Sequence, residues 1–211
     1  MSKVIHFPDN RPRASLAAEC ASHLTEGSLF IHPTETFYGI GALYDDEPAL
    51  EKLFAIKQRE ADKPALLLIA SADCLRTYAS AVPETAFKIA ERFWPGPVTI
   101  VLPAAQGLSQ YLCGPQGTAA FRVTSHPLTA ALAQALKKPF TSTSANISGD
   151  EPPASVTHIP YQIRDAVDLI IDSGDTPGGR PSTIIDLCAA PYRIVRYGAI
   201  APEEIRTCLG K

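Results

Sequence analysis

Apolar positions along this chain recur in two rhythms, one helical and one extended. In residues 13–26 (RASLAAECASHLTE), Leu16, Ala17, Cys20 and Leu24 fall at three- and four-residue intervals, which predicts an amphipathic helix stopped by Gly27. SLFIHP reads as a short buried strand ending at Pro33, followed by TETFYGIG as a polar loop with two glycines. Residues 46–58 (DEPALEKLFAIKQ) open with acidic residues and Pro48, then set Leu50, Leu53, Phe54 and Lys57 on one helical face, a stripe that ends in a charge. ALLLIAS, residues 65–71, predicts a buried strand, and residues 72–80 and 83–93 predict helices before WPGP breaks the chain.

PVTIVLP and AAFRV read as further strands, PLTAALAQAL as a helix with proline in its first turn, and PFTSTSAN as a strand running into a polar loop. DLIIDSG, STIIDL and YRIVR are strand patterns, and PEEIRTCL is a terminal helix. Several strands follow one another without helices, so an α/β fold with a mixed sheet and flanking helices is expected. A chain of 211 residues suits one core, and neither an internal repeat nor a Gly/Ser-rich linker divides it, so one domain over residues 1–211 is expected. Residues 149–160 (GDEPPASVTHIP) are the loosest stretch and fit either a surface connection or a loop that orders over a ligand.

Composition narrows the function classes. No apolar run approaches the roughly 18 residues of a membrane span. The opening MSKVIHFPDNRPR has no apolar core of a secretory signal, so a cytoplasmic protein with no membrane partner is expected. Cys20, Cys74, Cys113, Cys188 and Cys208 are odd in number and never form CxxC, which points to small buried thiols in a reducing compartment. The formal charge of −3 does not mark the whole molecule as a polyanion binder, so local clusters must carry any such role. No P-loop, GxGxxG or GxSxG motif is present. His6, His23, His32, His126 and His158 are isolated, which argues against a hydrolytic triad.

Three polar clusters remain. KQREADKP places Lys57, Arg59 and Lys63 within seven positions, either as a solvated helix end or as an anion site. Lys57 shares a stripe with Leu50 and Phe54, so it should point to the core side, where a cation is costly unless an anion such as phosphate receives it. Arg122 interrupts the small apolar strand AAFRV, where it needs either an internal carboxylate or a substrate anion for its planar fork, and Arg196 repeats the pattern before Gly198. In PFTSTSANISG, Ser142, Ser144 and Asn146 alternate as a strand leaves the core, which suits either a cap or a set of donors to phosphate oxygens.

Taken together, HPTETFYGIG, KQREADKP, RFWPGPVTIVLP, AAFRVTSHPLTAAL, TSTSANISG, STIIDL and IVRYGAI resemble the Sua5/YrdC family in order and spacing, from about residue 13 to the end. The resemblance implies a YrdC-like fold, a twisted mixed sheet around a large basic cavity, and synthesis of threonylcarbamoyl-AMP and pyrophosphate from L-threonine, bicarbonate and ATP. A separate transferase complex then uses the product for t6A modification of ANN-decoding tRNAs. Magnesium is expected to arrive with ATP. Residue by residue, Lys57 and Arg59 match the family's KxR motif as catalytic and nucleotide-binding groups, with Lys63 assisting. Thr34, Thr36, Arg122, Ser142 and Ser182 match positions that hold threonine, and Thr118, Ser144, Asn146 and Arg196 match nucleotide contacts. Some relatives carry histidine where this chain has Leu68, and others add a C-terminal domain beyond the point where this one stops. The alternative reading is a double-stranded RNA or tRNA binding factor that uses the same basic surface.

Overall fold

A computed structural model of the chain describes residues 2–7, 11–60 and 62–210. Parts of the polar opening segment, and Ala61 within KQREADKP, lie outside the described residues. The strands are β1 (Lys3–His6), β2 (Phe30–His32), β3 (Gly39–Gly41), β4 (Leu66–Leu68), β5 (Val98–Pro103), β6 (Thr118–Arg122), β7 (Phe140–Ser144), β8 (Leu169–Asp172), β9 (Thr183–Asp186) and β10 (Arg193–Arg196). The α-helices are α1 (Arg13–Ser22), α2 (Glu47–Lys57), α3 (Leu75–Tyr78), α4 (Glu84–Phe93), α5 (Pro127–Leu136), α6 (Tyr161–Ala166) and α7 (Pro202–Cys208).

The strands form one twisted mixed sheet in the order β1-β8-β2-β3-β7-β4-β6-β5-β9-β10. The pairs β1/β8, β2/β8, β4/β6 and β5/β9 are parallel, and the other neighbours are antiparallel. Alternation along each strand sorts side chains onto two faces. One face carries Ile31, Ile40, Leu67, Ile100, Phe121 and Ile185 and is covered by apolar residues of α2, α4, α6 and α7. The other carries Phe30, Leu68, Phe140 and Leu169 under Leu16 of α1 and Leu128 and Leu132 of α5, which pack on each other. Each of these fully buried leucines contributes about 2 kcal/mol of apolar burial. Helices α1 and α5 cover only part of this second face. The same alternation brings Thr99, Ala120, Arg122, Ser142, Ser144 and Ser182 to its uncovered part.

Helix α2 shows how local sequence sets the frame. The Asp46 side chain accepts from the Ala49 backbone N–H at 3.0 Å, Pro48 occupies the first turn, and Gln58 ends the helix in the left-handed conformation at φ 51°. Helix α1 ends at Ser22, earlier than its apolar spacing predicts. Residues 25–28 are drawn into a turn instead, in which the Thr25 N–H donates to Ser28 Oγ at 3.0 Å and the Gly27 N–H donates to the Asp46 carboxylate at 2.7 Å.

The stretch TETFYGIG, read as a loop, contains β3. Its glycines are there for room: a Cβ on Gly39 would lie 2.8 Å from the His32 ring, and one on Gly41 would lie 2.7 Å from the Thr141 carbonyl oxygen. Strand β1 and helix α6 are further elements that the apolar pattern did not announce. The described cysteines are free thiols; Cys20 is buried and the other four are half-buried.

Candidate active site

The uncovered part of the second face is the floor of a cavity of about 270 Å³. Gly39 of β3, Leu66 of β4, Thr99 of β5, Ala120 and Arg122 of β6, and Ser142 and Ser144 of β7 line it. Ser182 and Ile184, together with Arg196 of β10, complete the far wall, and the 34–38 loop and Pro152 close over it. The cavity opens where pairing stops. Leu66, the first residue of β4, pairs with Ser142, so past Ser142 strand β7 has no neighbour on that side. Arg59 enters this gap from the end of α2.

Three arginines line the cavity, and each is held differently. Arg59 donates from Nε to the Lys63 carbonyl at 2.6 Å, from Nη2 to the Pro64 carbonyl at 2.9 Å and from Nη1 to Thr143 Oγ1 at 3.2 Å. Its guanidinium also stands 5.7 Å from the centre of the Phe54 ring. Arg196 donates from Nε and Nη2 to the carbonyl and hydroxyl of Ser182, at 2.9 and 2.8 Å, and Thr99 Oγ1 fixes that hydroxyl at 2.8 Å. Arg122 is buried, and its Nε lies 3.6 Å from Glu35 Oε1. Burial pulls all three below the ordinary arginine range, and Arg196 is pulled further by Arg122 and Arg59. Guanidinium groups do not give up their protons in proteins, so the shift reports crowded, poorly solvated positive charge that an anion would relieve.

Lys57 takes a different place. It lies beneath the cavity at 1% exposure, with Nζ donating to the carbonyls of Ser144 and Asn146, the latter at 2.5 Å. The Ser148 N–H returns a bond to the Lys57 carbonyl at 3.0 Å. Burial, with repulsion from Arg59 second, lowers its pKa to about 7. Backbone carbonyls therefore meet the need that the sequence assigned to a phosphate. Asn146 is also internal: its Nδ2 donates to the carbonyls of Ile147 and Asp150, both at 2.8 Å. Together they shape the turn that presents Ser144.

The 33–38 loop is built around Thr34. Its hydroxyl accepts from the N–H groups of Thr36 and Phe37 at 3.1 and 3.2 Å and donates to the Phe37 carbonyl at 2.7 Å. Residues 149–160 are stitched to this loop. The Tyr38 N–H donates to the Pro153 carbonyl at 2.9 Å, and the 176–178 segment joins the two, with the Thr176 N–H donating to the Ala154 carbonyl and the Gly178 N–H to the Thr36 carbonyl, both at 2.7 Å.

Of the residues singled out from sequence, Thr34, Thr36, Arg59, Arg122, Ser142, Ser144, Ser182 and Arg196 meet at the cavity. Lys57 and Asn146 sit behind it. Lys63 is on the surface, paired with Glu60 at 3.0 Å, and Thr118 shares the face of Ala120 and Arg122 but lies beyond the lining. Leu68 is buried in the apolar cluster with Phe140 and Leu132. Sequence reasoning passed over Thr99, Thr143, Glu35 and Tyr38. A threonine inside the otherwise apolar PVTIVLP was the available signal for Thr99, and the lone acid of PTET was the signal for Glu35. No helix among the described residues is long and apolar enough to cross a membrane.

Comparison with known proteins agrees with the geometry. The family model Sua5_yciO_yrdC, described as "Telomere recombination", matches residues 22–198. A Pyrococcus abyssi protein named threonylcarbamoyl-AMP synthase is 39% identical over 191 residues, which cover 90% of this chain and 56% of that one. A Bacillus subtilis protein of the same name is 32% identical over 92% of this chain and 56% of its own length, so the chain spans little more than half of these two relatives. A Mycobacterium tuberculosis relative is 33% identical over 96% of this chain and 92% of its own. Among solved structures, P. abyssi Sua5 complexed with L-threonine superposes with a TM-score of 0.90 at 36% identity, covering all of this chain and 61% of that one. E. coli YciO superposes at 0.81 with 30% identity, over 94% of this chain and 97% of its own. By fold, motif order and these matches, the chain belongs to the Sua5/YciO/YrdC family.

Proposed function

We propose that this chain is an L-threonylcarbamoyladenylate synthase, a nucleotidyltransferase that makes threonylcarbamoyl-AMP and pyrophosphate from L-threonine, bicarbonate and ATP. The observation that carries this reading is the meeting of Arg59, Arg122 and Arg196 with a row of hydroxyls around one cavity whose lining, among the described residues, contains no carboxylate. A cavity of about 270 Å³ lies near the lower end of small-molecule sites, and its cations suit a polyanion seated beside an amino acid. The names of the matched relatives, and the L-threonine complex of P. abyssi Sua5, support the same choice of substrates.

In this reading Arg122 takes the threonine carboxylate, with Thr36 and Ser142 beside it, while Arg59 and Arg196 offset triphosphate charge and Ser144 donates to a phosphate oxygen. Ser182 acts through Arg196. Lys57 and Asn146 hold the turn of Ser144 and do not touch substrate. Magnesium rides on the triphosphate: among the described residues the lining offers hydroxyls and no carboxylate, a poor cage for a divalent cation but a suitable wall for one already ligated by phosphate.

The threonine amine adds to the bicarbonate carbon and water leaves, giving N-carboxythreonine. Its carboxylate oxygen then bonds to the α-phosphorus as the bond to the bridging oxygen of the β-phosphate breaks, and pyrophosphate departs. The substrate supplies the nucleophile, so the protein contributes alignment and charge stabilisation. A separate transferase carries the product to tRNA, and one domain over residues 1–211 performs the synthesis. An RNA-binding role has less support, because the arginines drawn out of solvent meet in one concave site and acidic residues outnumber basic ones, 22 to 19.

The test is pyrophosphate release by the purified protein with ATP, magnesium, L-threonine and bicarbonate. Omitting threonine or bicarbonate should abolish it. Release that does not depend on threonine would overturn the substrate assignment, and steeply salt-dependent tRNA binding without any release would favour the RNA reading.

A further inference from the structure

Arg59 spends its Nε and both Nη groups on chain oxygens, and Arg196 spends two nitrogens on Ser182. Arg122 differs from both. Among the described residues its guanidinium makes no hydrogen bond, and the one carboxylate within ion-pair range is that of Glu35, reached through Nε at 3.6 Å, beyond a hydrogen bond. Glu35 is itself nearly buried, at 12% side-chain exposure. Its Oε2 accepts from Thr124 Oγ1, an oxygen that in turn accepts from the His126 N–H at 3.2 Å at the start of α5. Its Oε1 is buried, has no hydrogen-bond partner and faces Arg122. Neither Arg59 nor Arg196 has a carboxylate within ion-pair distance among the described residues.

We propose that Glu35 is a positioning residue that aims Arg122 at a single carboxylate, and so divides the three arginines into an amino-acid side and a phosphate side. The proposal rests on the threonine and ATP reading given above. The carboxylate stands beside Nε of Arg122 and leaves the Nη pair, a fork that can grip a carboxylate in two parallel bonds, for the ligand. Its charge also lowers the pull of Arg122 on a triphosphate, so the polyanion is drawn to Arg59 and Arg196, which have no such counter-charge.

Glu35→Gln separates the two roles. Whichever way the new amide turns against the Thr124 hydroxyl, the negative charge facing Arg122 Nε is gone. The fork loses its anchor while Arg122 regains its full attraction for phosphate. By calorimetric titration of the purified protein, the Kd for L-threonine should rise about tenfold while the Kd for Mg–ATP holds or falls. In steady state, the KM for threonine should rise with kcat at saturating threonine kept within about threefold. Should Glu35→Gln fail to fold, Thr124→Val removes only the hydroxyl that tethers Glu35 and should weaken threonine about threefold with Mg–ATP unchanged. Unchanged threonine binding in a folded Glu35→Gln, or equal loss of both ligands in either variant, overturns the proposal. A wild-type protein that binds neither ligand overturns the parent reading instead.

Discussion

The cavity of about 270 Å³ on the half-covered face and a groove of about 640 Å³ between α4 and α5 lie on either side of the end of β6, where Arg122 lines the first and Val123 the second. The groove is the larger and is walled mainly by Ala70, Phe87, Ala90, Trp94 and Ala131. Apolar area alone would select it as the site. The cavity has what the groove lacks, which is polar groups from several strands converging with their geometry already fixed. Arg59 and Arg196 are held by carbonyls and hydroxyls, not by carboxylates, so their positions are set while their charges stay available. The difference teaches that this fold stores its function in desolvated cations pinned by neutral partners, an arrangement that costs stability until an anion arrives.

The largest effect should come from Arg196→Ala, which strips a cavity cation and leaves the Ser182 hydroxyl to Thr99 alone. Pyrophosphate release should fall about a hundredfold, roughly 2.7 kcal/mol of transition-state stabilisation. Loss of less than threefold would put the chemistry elsewhere.

A smaller effect concerns the cation beneath the cavity. The Lys57 ammonium titrates near 7 in the folded chain against 10.5 as its ordinary value. Between those values the unfolded chain holds a proton that the folded chain has released, so this residue's contribution to stability rises with pH across that window and is least favourable below about 7. Arg59 is the one charged group that adds to the shift, so the effect belongs to burial first. Wild type should gain stability relative to Lys57→Met as pH is raised from about 6 to about 9, read from urea midpoints. A flat or falling difference would mean that carbonyls, not desolvation, govern this amine. The smallest effect is expected from Ala131→Phe, which fills part of the groove and should change pyrophosphate release by less than about threefold.

Much of this was legible in the sequence because alternation and helical spacing are local properties. PLTAALAQAL gives α5 to the residue, and the stripe of Leu50, Phe54 and Lys57 points the lysine inward, where it lies. Arg122 was read as needing either an internal acid or an open fork, and the structure supplies Glu35 at one edge while leaving the Nη pair free among the described residues. What stayed hidden depends on contacts distant in the chain. Gly39 and Gly41 read as loop residues until His32 and Thr141 are seen to exclude any Cβ beside them. The cations of KQREADKP look alike in one dimension, yet Lys57 is sealed under Ser144 and Asn146, Arg59 fills the gap where β4 begins, and Lys63 faces solvent.

The most direct test of the central claim is a structure of the protein with L-threonine and a non-hydrolysable ATP analogue. The expected result is the threonine carboxylate on the Arg122 fork and the triphosphate between Arg59 and Arg196, with the α-phosphorus turned towards the amino acid. Either ligand seated in the apolar groove, or the two ligands in separate places, would contradict it.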